Sequence, residues 1–486
     1  MKKVLIISIL ALILIVGCIF SYLAINSDSI LASFKPQLEK LASEKLESKV
    51  ALGKLSLSVF PETSIKIDKL TMTQPGSEKL SLNNITLDVS LLPLLSKKLQ
   101  INEFKLDKPI IKIISTGQET YIAGLKPSKK NKASKATKNE LVEADSTSDL
   151  PLDLNLKSFS INDATLELID KTQGKVKQIT NINLDSSLDI SPVNNSAKLH
   201  SDANFKIQNE TLRSEFDLTT SSKLIDIPVI ELDGFGGKIN GKATIGLKGV
   251  KAVTANVNAL ELNAAKAFDS LNPEKAGMIE GILNTFNLNL EGSAKNQLTE
   301  SLTGKAEINF TKGSIKGFNL VKEVLKGLAE LPFFRDRLMS AVPEEHKAEI
   351  ISENTAIESL TANFTIANQA LSTNNLNILS TIFSLKGQGF ISFKGAIKLD
   401  AQLVFNKAFS TGIADKIKEA KYLLNENGEI LVPLSLHGIA PDLRVLPDLK
   451  TLAKMGLTQG IADKASKLLG DEGKVKLKGL DKLLGF

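Results

Sequence analysis

From Lys54 onward the chain alternates apolar and polar residues with a period of two. The first run is Lys54-Leu55-Ser56-Leu57-Ser58-Val59-Phe60, followed by Ser64-Ile65-Lys66-Ile67-Asp68, Leu80 to Leu92 and Leu99 to Ile114. Alternate side chains of a strand point to opposite faces, so each run predicts a strand with one apolar and one polar face. After an interruption the pattern returns at Leu150-Pro151-Leu152-Asp153-Leu154-Asn155-Leu156. It continues through Ala164 to Ile169, Ile182 to Ile190, Ala197 to Ile207, Ala243 to Leu247 and Val253 to Leu262. Further runs are Phe286 to Leu290, Ala306 to Phe310, Leu360 to Ile366, Phe383 to Phe393 and Ala396 to Phe405. Turn residues at short spacing between them predict a meander. One strand per ~15 residues gives roughly 30 strands, and ~4.8 Å per strand caps the sheet at about 140 Å.

Helical patterns are few. Phe34, Leu38, Leu41 and Leu46, with Pro36 in the first turn, predict a short helix ahead of the first strands. Leu320-Val321, Val324-Leu325, Leu328 and Leu331 predict another near 319–331, stopped by Pro332. Leu452 to Leu457 and Ile461 to Leu469 are further candidates. From Lys474 to Phe486, apolar residues sit between lysines, and this tail would lie on a membrane or cap the end of a sheet.

The strands follow a different kind of segment. Val4 to Ala24 carries no charge and would span roughly 32 Å as a helix, the thickness of a hydrocarbon core. Val4, Leu10, Leu14, Phe20 and Ala24 mark this predicted anchor. Lys2 and Lys3 precede it, and Asp28 comes before the next base, Lys35. The positive-inside bias places residues 1–3 in the cytoplasm and everything after Ala24 outside it. Ile15-Val16-Gly17-Cys18 raises the alternative of lipidation at Cys18, and simple cleavage is a third. No A-x-A-like site ends the run, and it stays apolar beyond Cys18, which favours the uncleaved helix.

Lys126 to Asp149 breaks the alternation. Six lysines stand between Lys126 and Lys138, and Glu140, Glu143, Asp145 and Asp149 follow. With no apolar period, the stretch reads as a disordered loop. It separates a helix-and-strand region at 25–125 from a longer strand region at 150–445, with a helical or amphipathic tail at 446–486.

Composition narrows the chemistry. The 486 residues are 42% hydrophobic and 23% charged, with a net charge of +6, no Trp and three Tyr. The positive charge is nearly all Lys; the arginines are Arg213, Arg335, Arg337 and Arg444. Nucleic-acid readers use Arg for bidentate contacts and aromatics for stacking, so no nucleic-acid partner is expected. His200, His346 and His437 lack metal-ligand spacing. Cys18 is the single cysteine, which leaves no Cys nucleophile elsewhere. Neither a Gly-x-Ser-x-Gly elbow nor a phosphate-binding Gly-Lys-Ser/Thr loop is present. Gly234-Phe235-Gly236-Gly237 reads as a tight turn between strands. No catalytic constellation, metal site or cofactor is expected.

The ordered set of motifs resembles the AsmA family of bacterial envelope proteins. Carrying the resemblance are the anchor, Phe34-Lys35-Pro36, the run Val50 to Pro61, Leu91-Leu92-Pro93-Leu94-Leu95, and Leu106-Asp107-Lys108-Pro109-Ile110-Ile111. Further along it rests on Gly236-Gly237-Lys238-Ile239-Asn240-Gly241, Lys312 to Leu320, and Gly428 to Leu434 followed by His437-Gly438 and Pro441-Asp442. Thr120-Tyr121 stands where the family usually has Asn-Trp, and Lys126–Asp149 is an insertion. The resemblance implies a mainly β fold with a few helices: an N-terminal transmembrane helix followed by an elongated, curled antiparallel β-sheet, a β-groove like that of bridge-like lipid-transfer proteins. It implies an inner-membrane protein with its bulk in the periplasm, supporting outer-membrane biogenesis through phospholipid transport or through outer-membrane protein assembly. The implied partners are the inner membrane, phospholipids and envelope assembly proteins.

A lipid tail costs about 0.8 kcal/mol per CH₂ to expose to water, so carrying one requires a continuous apolar lining. Leu55, Leu57, Val59, Ile65, Ile67, Leu80, Leu82, Ile85, Leu87 and Val89 are the candidate lining. The phase slips at Asn83-Asn84, so a bulge or turn is expected there. The same residues would equally fill a closed core, and alternation alone does not separate the two.

Overall fold

In the computed structural model, the described residues are 31, 35–44, 46–58, 63–90, 99–116, 120–125, 152–191, 196–249, 251–293, 298–330, 334–335, 337–439 and 442–452. The predicted anchor with Cys18, the 126–149 loop and the tail from 453 lie outside them, as does Val59. No helix among the described residues is long and apolar enough to cross a membrane. The chain forms two compact units, Met1–Ser222 and Lys223–Phe486, with the boundary inside the long second strand region.

In the first unit, β1 (Lys49–Leu52) and β2 (Leu55–Ser58) lie end to end along β3 (Ser64–Thr73). Next in the sheet come β4 (Leu80–Val89) and β5 (Leu99–Asp107). The predicted run Leu99 to Ile114 is interrupted by Lys108, whose φ is 50°, and by Pro109. It therefore becomes two strands, β5 and β6 (Ile110–Ser115), with β7 (Thr120–Ile122) hairpinned onto the second. Both β5 and β6 pair in parallel with the 19-residue β8 (Leu152–Asp170). Beyond β8, β9 (Lys175–Ser191), β10 (Ser196–Ile207) and β11 (Glu210–Thr220) follow as an antiparallel meander.

The phase slip expected at Asn83-Asn84 is present. Asn84 has φ 54°, which lets both Leu82 and Ile85 turn inward. The neighbouring strands break in the same row: Gly53 N donates to Lys69 O at 2.7 Å, and Asp68 N donates to Lys54 O at 3.1 Å. Residues 35–44 are helical and lie against the β1 edge. Glu39 and Ser43, one turn apart, accept hydrogen bonds from Leu52 N at 2.7 Å and Val50 N at 2.9 Å. An edge strand's free N–H groups are thereby satisfied and shielded from pairing with another chain.

The second unit is a continuous antiparallel meander. Its strands are β12 (Leu224–Gly234), β13 (Gly237–Gly246), β14 (Ala252–Asn263), β15 (Ile279–Ser293), β16 (Thr303–Ile315) and β17 (Thr355–Ala367). After these come β18 (Ala370–Leu379), β19 (Phe383–Ser392), β20 (Ala396–Phe405), β21 (Leu431–Ile439) and β22 (Asp442–Pro447). The described residues hold 22 strands, fewer than one per ~15 residues would give, because several are long; β9 has 17 residues and β15 has 15.

Helices interrupt this meander at few points, chiefly between β16 and β17 and between β20 and β21. Leu320–Ala329 forms where a helix was expected. Asn319 caps it by accepting from Lys322 N at 2.9 Å, and donates to Glu349 O and Ser352 O at 2.8 Å each. Leu320, Val321, Val324, Leu325 and Leu328 make its buried stripe, the i, i+3, i+4 spacing of an amphipathic helix. That stripe, with Phe409 and Ile413 from the helix Lys407–Lys416, belongs to one core with Leu385, Leu403, Phe405, Val432 and Leu434. The rings of Phe405 and Phe409 stack at 4.4 Å.

Candidate functional site: a partly exposed apolar sheet face

The candidate lining residues near the start of the sheet sit in a closed core. Ile65, Ile67, Leu80, Leu82, Ile85, Leu87 and Val89 are buried, and Leu55 and Leu57 are half-buried against them. Leu31, Leu38 and Ala42 from the helical segment pack onto the same cluster. At these positions one apolar face is filled by the chain's own helix.

The same alternation has a different outcome in β12–β17. Cross-strand register places Ile239, Ala259, Phe286, Ile308 and Ala362 in one row. The next row is Gly241, Val257, Leu288, Ala306 and Phe364, and the third is Ala243, Ala255, Leu290, Gly304 and Ile366. Every row sets large side chains beside Ala or Gly. Ala259, Ala306 and Ala362 are buried between their neighbours, whereas Ile239, Val257, Phe286, Leu288, Leu290, Ile308 and Phe364 all stay partly exposed. Gly304 keeps the strands close: a Cβ there would stand 2.1 Å from Asn289 O.

In the first unit, β8–β11 repeat this arrangement. Leu188, Leu199 and Leu218 form one row, and Phe159, Ser186, Ser201 and Phe216 another, with the leucines and phenylalanines again partly exposed. Ser186 and Ser201 are buried in the middle of that row and hydrogen-bond to each other, Oγ to Oγ, at 2.7 Å. Pairing the hydroxyls spares the apolar row an unsatisfied polar group.

The opposite faces are polar. In the second unit Asn240, Asn258, Asn287, Glu307 and Asn363 lie in register. Asn258 donates to Asn287, which donates to Glu307 at 3.3 Å. In the first unit Lys105 Nζ stands 3.0 Å from both Asp88 and Glu103. Its hydrogen bonds to Glu103, then to Asp88, push its pKa up to about 12. His200 Nδ1 lies 2.7 Å from Asp217 Oδ1, and Nε2 lies 3.3 Å from Asp202. The hydrogen bond to Asp217 raises the His200 pKa above its ordinary value. These are partly exposed ion pairs on the polar face. No group of three or more His, Cys, Asp or Glu that could hold a metal occurs among the described residues.

The residues expected as lining, on β2–β4, pack in a core, whereas the apolar rows of β13–β17 stay partly exposed. Among the partly exposed residues, Val257, Phe286, Leu288 and Phe364 were not singled out from the sequence. Their own alternation is no different from that of β3 and β4. The distinguishing signal, small residues beside large ones across strands, becomes visible only once the register is known.

Both units are thus antiparallel-rich sheets with one apolar face, capped by helices over some strands and accessible over others. This defines a class of β-sheet protein with an extended, partly exposed apolar surface. The AsmA family profile matches residues 1–274, and the chain belongs to the AsmA family. Comparison with curated proteins and with solved structures returned no match.

Proposed function

We propose that this is an inner-membrane-anchored periplasmic protein that supports outer-membrane biogenesis by carrying phospholipid acyl chains along the exposed apolar rows. It acts without catalysis or cofactor. One observation carries the reading: Val257, Phe286, Leu288 and Phe364 remain partly exposed on a continuous apolar face. A tail of about sixteen CH₂ groups would cost on the order of 13 kcal/mol to leave in water, so such a surface has a use that isolated apolar spots lack. The anchor at Val4–Ala24 holds the sheet beside a bilayer.

A second reading draws on the closed cores around Ile85 and Leu403, both 0% exposed. Sheets packed shut at those strands suit an assembly factor that binds envelope proteins through its surface. The two readings part in one experiment. The full chain, purified in detergent and exchanged into lipid-free amphipol, is extracted for mass spectrometry, and photo-crosslinkers are placed at Leu288 and at Leu57. Acyl-chain adducts at Leu288 with none at Leu57 support lipid carriage. Background-level phospholipid and no adduct at either position would reject it in favour of the assembly factor.

A further inference from the structure

The outer, polar face of the second unit loses its polar character at one end. There β19–β22 bring Phe390, Lys398, His437 and Arg444 into a single cross-strand row. Ile439 pairs with Ala396 one row nearer the β19–β20 turn, which is formed by Phe393-Lys394-Gly395. Gly395 adopts φ 85°, and a Cβ on it would stand 3.7 Å from Ile439 Cγ2, so the turn and Ile439 are adjacent. Ile439 is 61% exposed, and Phe390 and Phe393 are 39% exposed each. Lys394, Lys398, His437 and Arg444 are exposed as well, and no ion pair or side-chain hydrogen bond holds them among the described residues. Two acids belong to this end as well: Asp442 stands opposite Ile439 in the register, and Asp400 sits one row farther from the turn.

Single exposed apolar residues are ordinary, whereas a cluster ringed by unpaired cations marks an interaction surface. We propose that this end of the second unit docks on the surface of an anionic membrane. Phe390, Phe393 and Ile439 would enter the head-group boundary, and Lys394, Lys398, His437 and Arg444 would meet lipid phosphates. Charge complementarity selects the occupant. Three unpaired cations, Lys394, Lys398 and Arg444, ask for a dense, mobile field of negative charge, and the apolar tip needs a layer it can enter. A protein partner would more ordinarily be met by Trp or Tyr anchors, and the patch has neither. The proposal goes beyond acyl-chain carriage and does not depend on it, since it concerns the opposite face of the sheet.

The test uses the full chain in nanodiscs of phosphatidylcholine and asks whether it captures added vesicles in trans. Vesicles in which about a third of the phosphatidylcholine is replaced by phosphatidylglycerol should co-float with it, and pure phosphatidylcholine vesicles should not. The double variant Lys398→Gln/Arg444→Gln should bind the anionic vesicles roughly thirtyfold more weakly at low salt. Because the chain contains no Trp, Phe393→Trp supplies a unique reporter. Its emission should shift to the blue on capture and be quenched by brominated lipid in the added vesicles. A urea midpoint equal to the parent's checks that each variant is folded; if the double variant fails this check, the quenching of Phe393→Trp decides alone. Equal capture of neutral vesicles, undiminished capture by the folded double variant, or no quenching would overturn the proposal. Loss of capture on deleting 453–486, with the patch variants binding normally, would also overturn it and assign docking to the tail.

Discussion

Leu403 and Leu288 are both leucines on an apolar face of the second unit, yet they should respond very differently to truncation. Leu403 is 0% exposed, pairs across strands with Leu385 and Val432, and lies in the core that Phe409 and Ile413 also enter. Leu403→Ala removes three buried carbons and leaves a cavity that the surrounding helices and strands only partly close, a cost of about 2–5 kcal/mol. Leu288 pairs with Val257 and Ala306 and is already in contact with solvent. With part of the transfer term absent and water free to fill the space, Leu288→Ala should cost about 1 kcal/mol or less. Urea unfolding followed by circular dichroism compares the two midpoints within the same unit. At a slope of about 2 kcal/mol per molar urea, Leu403→Ala should lower the midpoint by roughly 1–2.5 M and Leu288→Ala by under about 0.5 M. Leu288→Glu should fold as well and lose lipid in the extraction assay. Equal, large midpoint shifts for the two alanine variants would mean that the rows of β12–β17 are covered, and the reasoning for lipid carriage would fall.

Other substitutions test separate parts of the argument. Leu57→Glu places a charge against the closed core around Ile65 and should unfold the first unit in urea earlier than the parent, instead of leaving a folded protein that has lost only its lipid. Asn319→Ala removes the helix cap together with the bonds to Glu349 O and Ser352 O, and should cost about 2 kcal/mol of second-unit stability by the same measurement. Gly237→Ala would bring a Cβ to 2.2 Å from Leu260 O, so the turn must shift; roughly 1–3 kcal/mol should be lost, and a spectrum and midpoint identical to the parent's would count against the turn geometry. For His200, the folded pKa is raised by Asp217, so its stabilisation is full below about pH 6.5 and is lost as pH rises through the folded value. The first unit's urea midpoint should therefore fall slightly as pH rises above about 6.5, and His200→Gln should abolish the step. The effect is small because the side chain is 44% exposed.

Much of the fold was legible from residue order. Period-two alternation located many of the strands, though not β11, β12 or β18; Pro332 and the i, i+4 leucines located Leu320–Ala329, and Asn83-Asn84 marked the phase slip that Asn84 provides. Gly234-Phe235-Gly236-Gly237 was legible as a tight turn, and Phe235 and Gly236 both adopt positive φ there. Less legible was the break after Asp107, where Pro109 and Lys108 turn one expected strand into two. The parallel pairing of both with β8 joins residues separated by the whole 126–149 segment, and no local signal specifies that choice. The strand count was not legible either: alternation runs such as Leu150 to Leu156 and Ala164 to Ile169 join into the single strand β8.

By itself, the sequence determined that each strand would have one apolar and one polar face, since side-chain direction in a strand depends only on position parity. It determined too the helix Leu320–Ala329, though not the helices Ala264–Leu271, Glu344–Ile351 or Lys407–Lys416. Whether an apolar face would be buried or accessible was decided only by tertiary structure. Ile85 and Leu288 occupy equivalent places in equivalent patterns. The first is sealed in a core shared with a helix whose Glu39 and Ser43 bind the β1 edge; the second lies between Val257 and Ala306 and stays open to solvent. Burial is a property of what arrives from elsewhere in the chain, and that arrival is not written in the strand it covers.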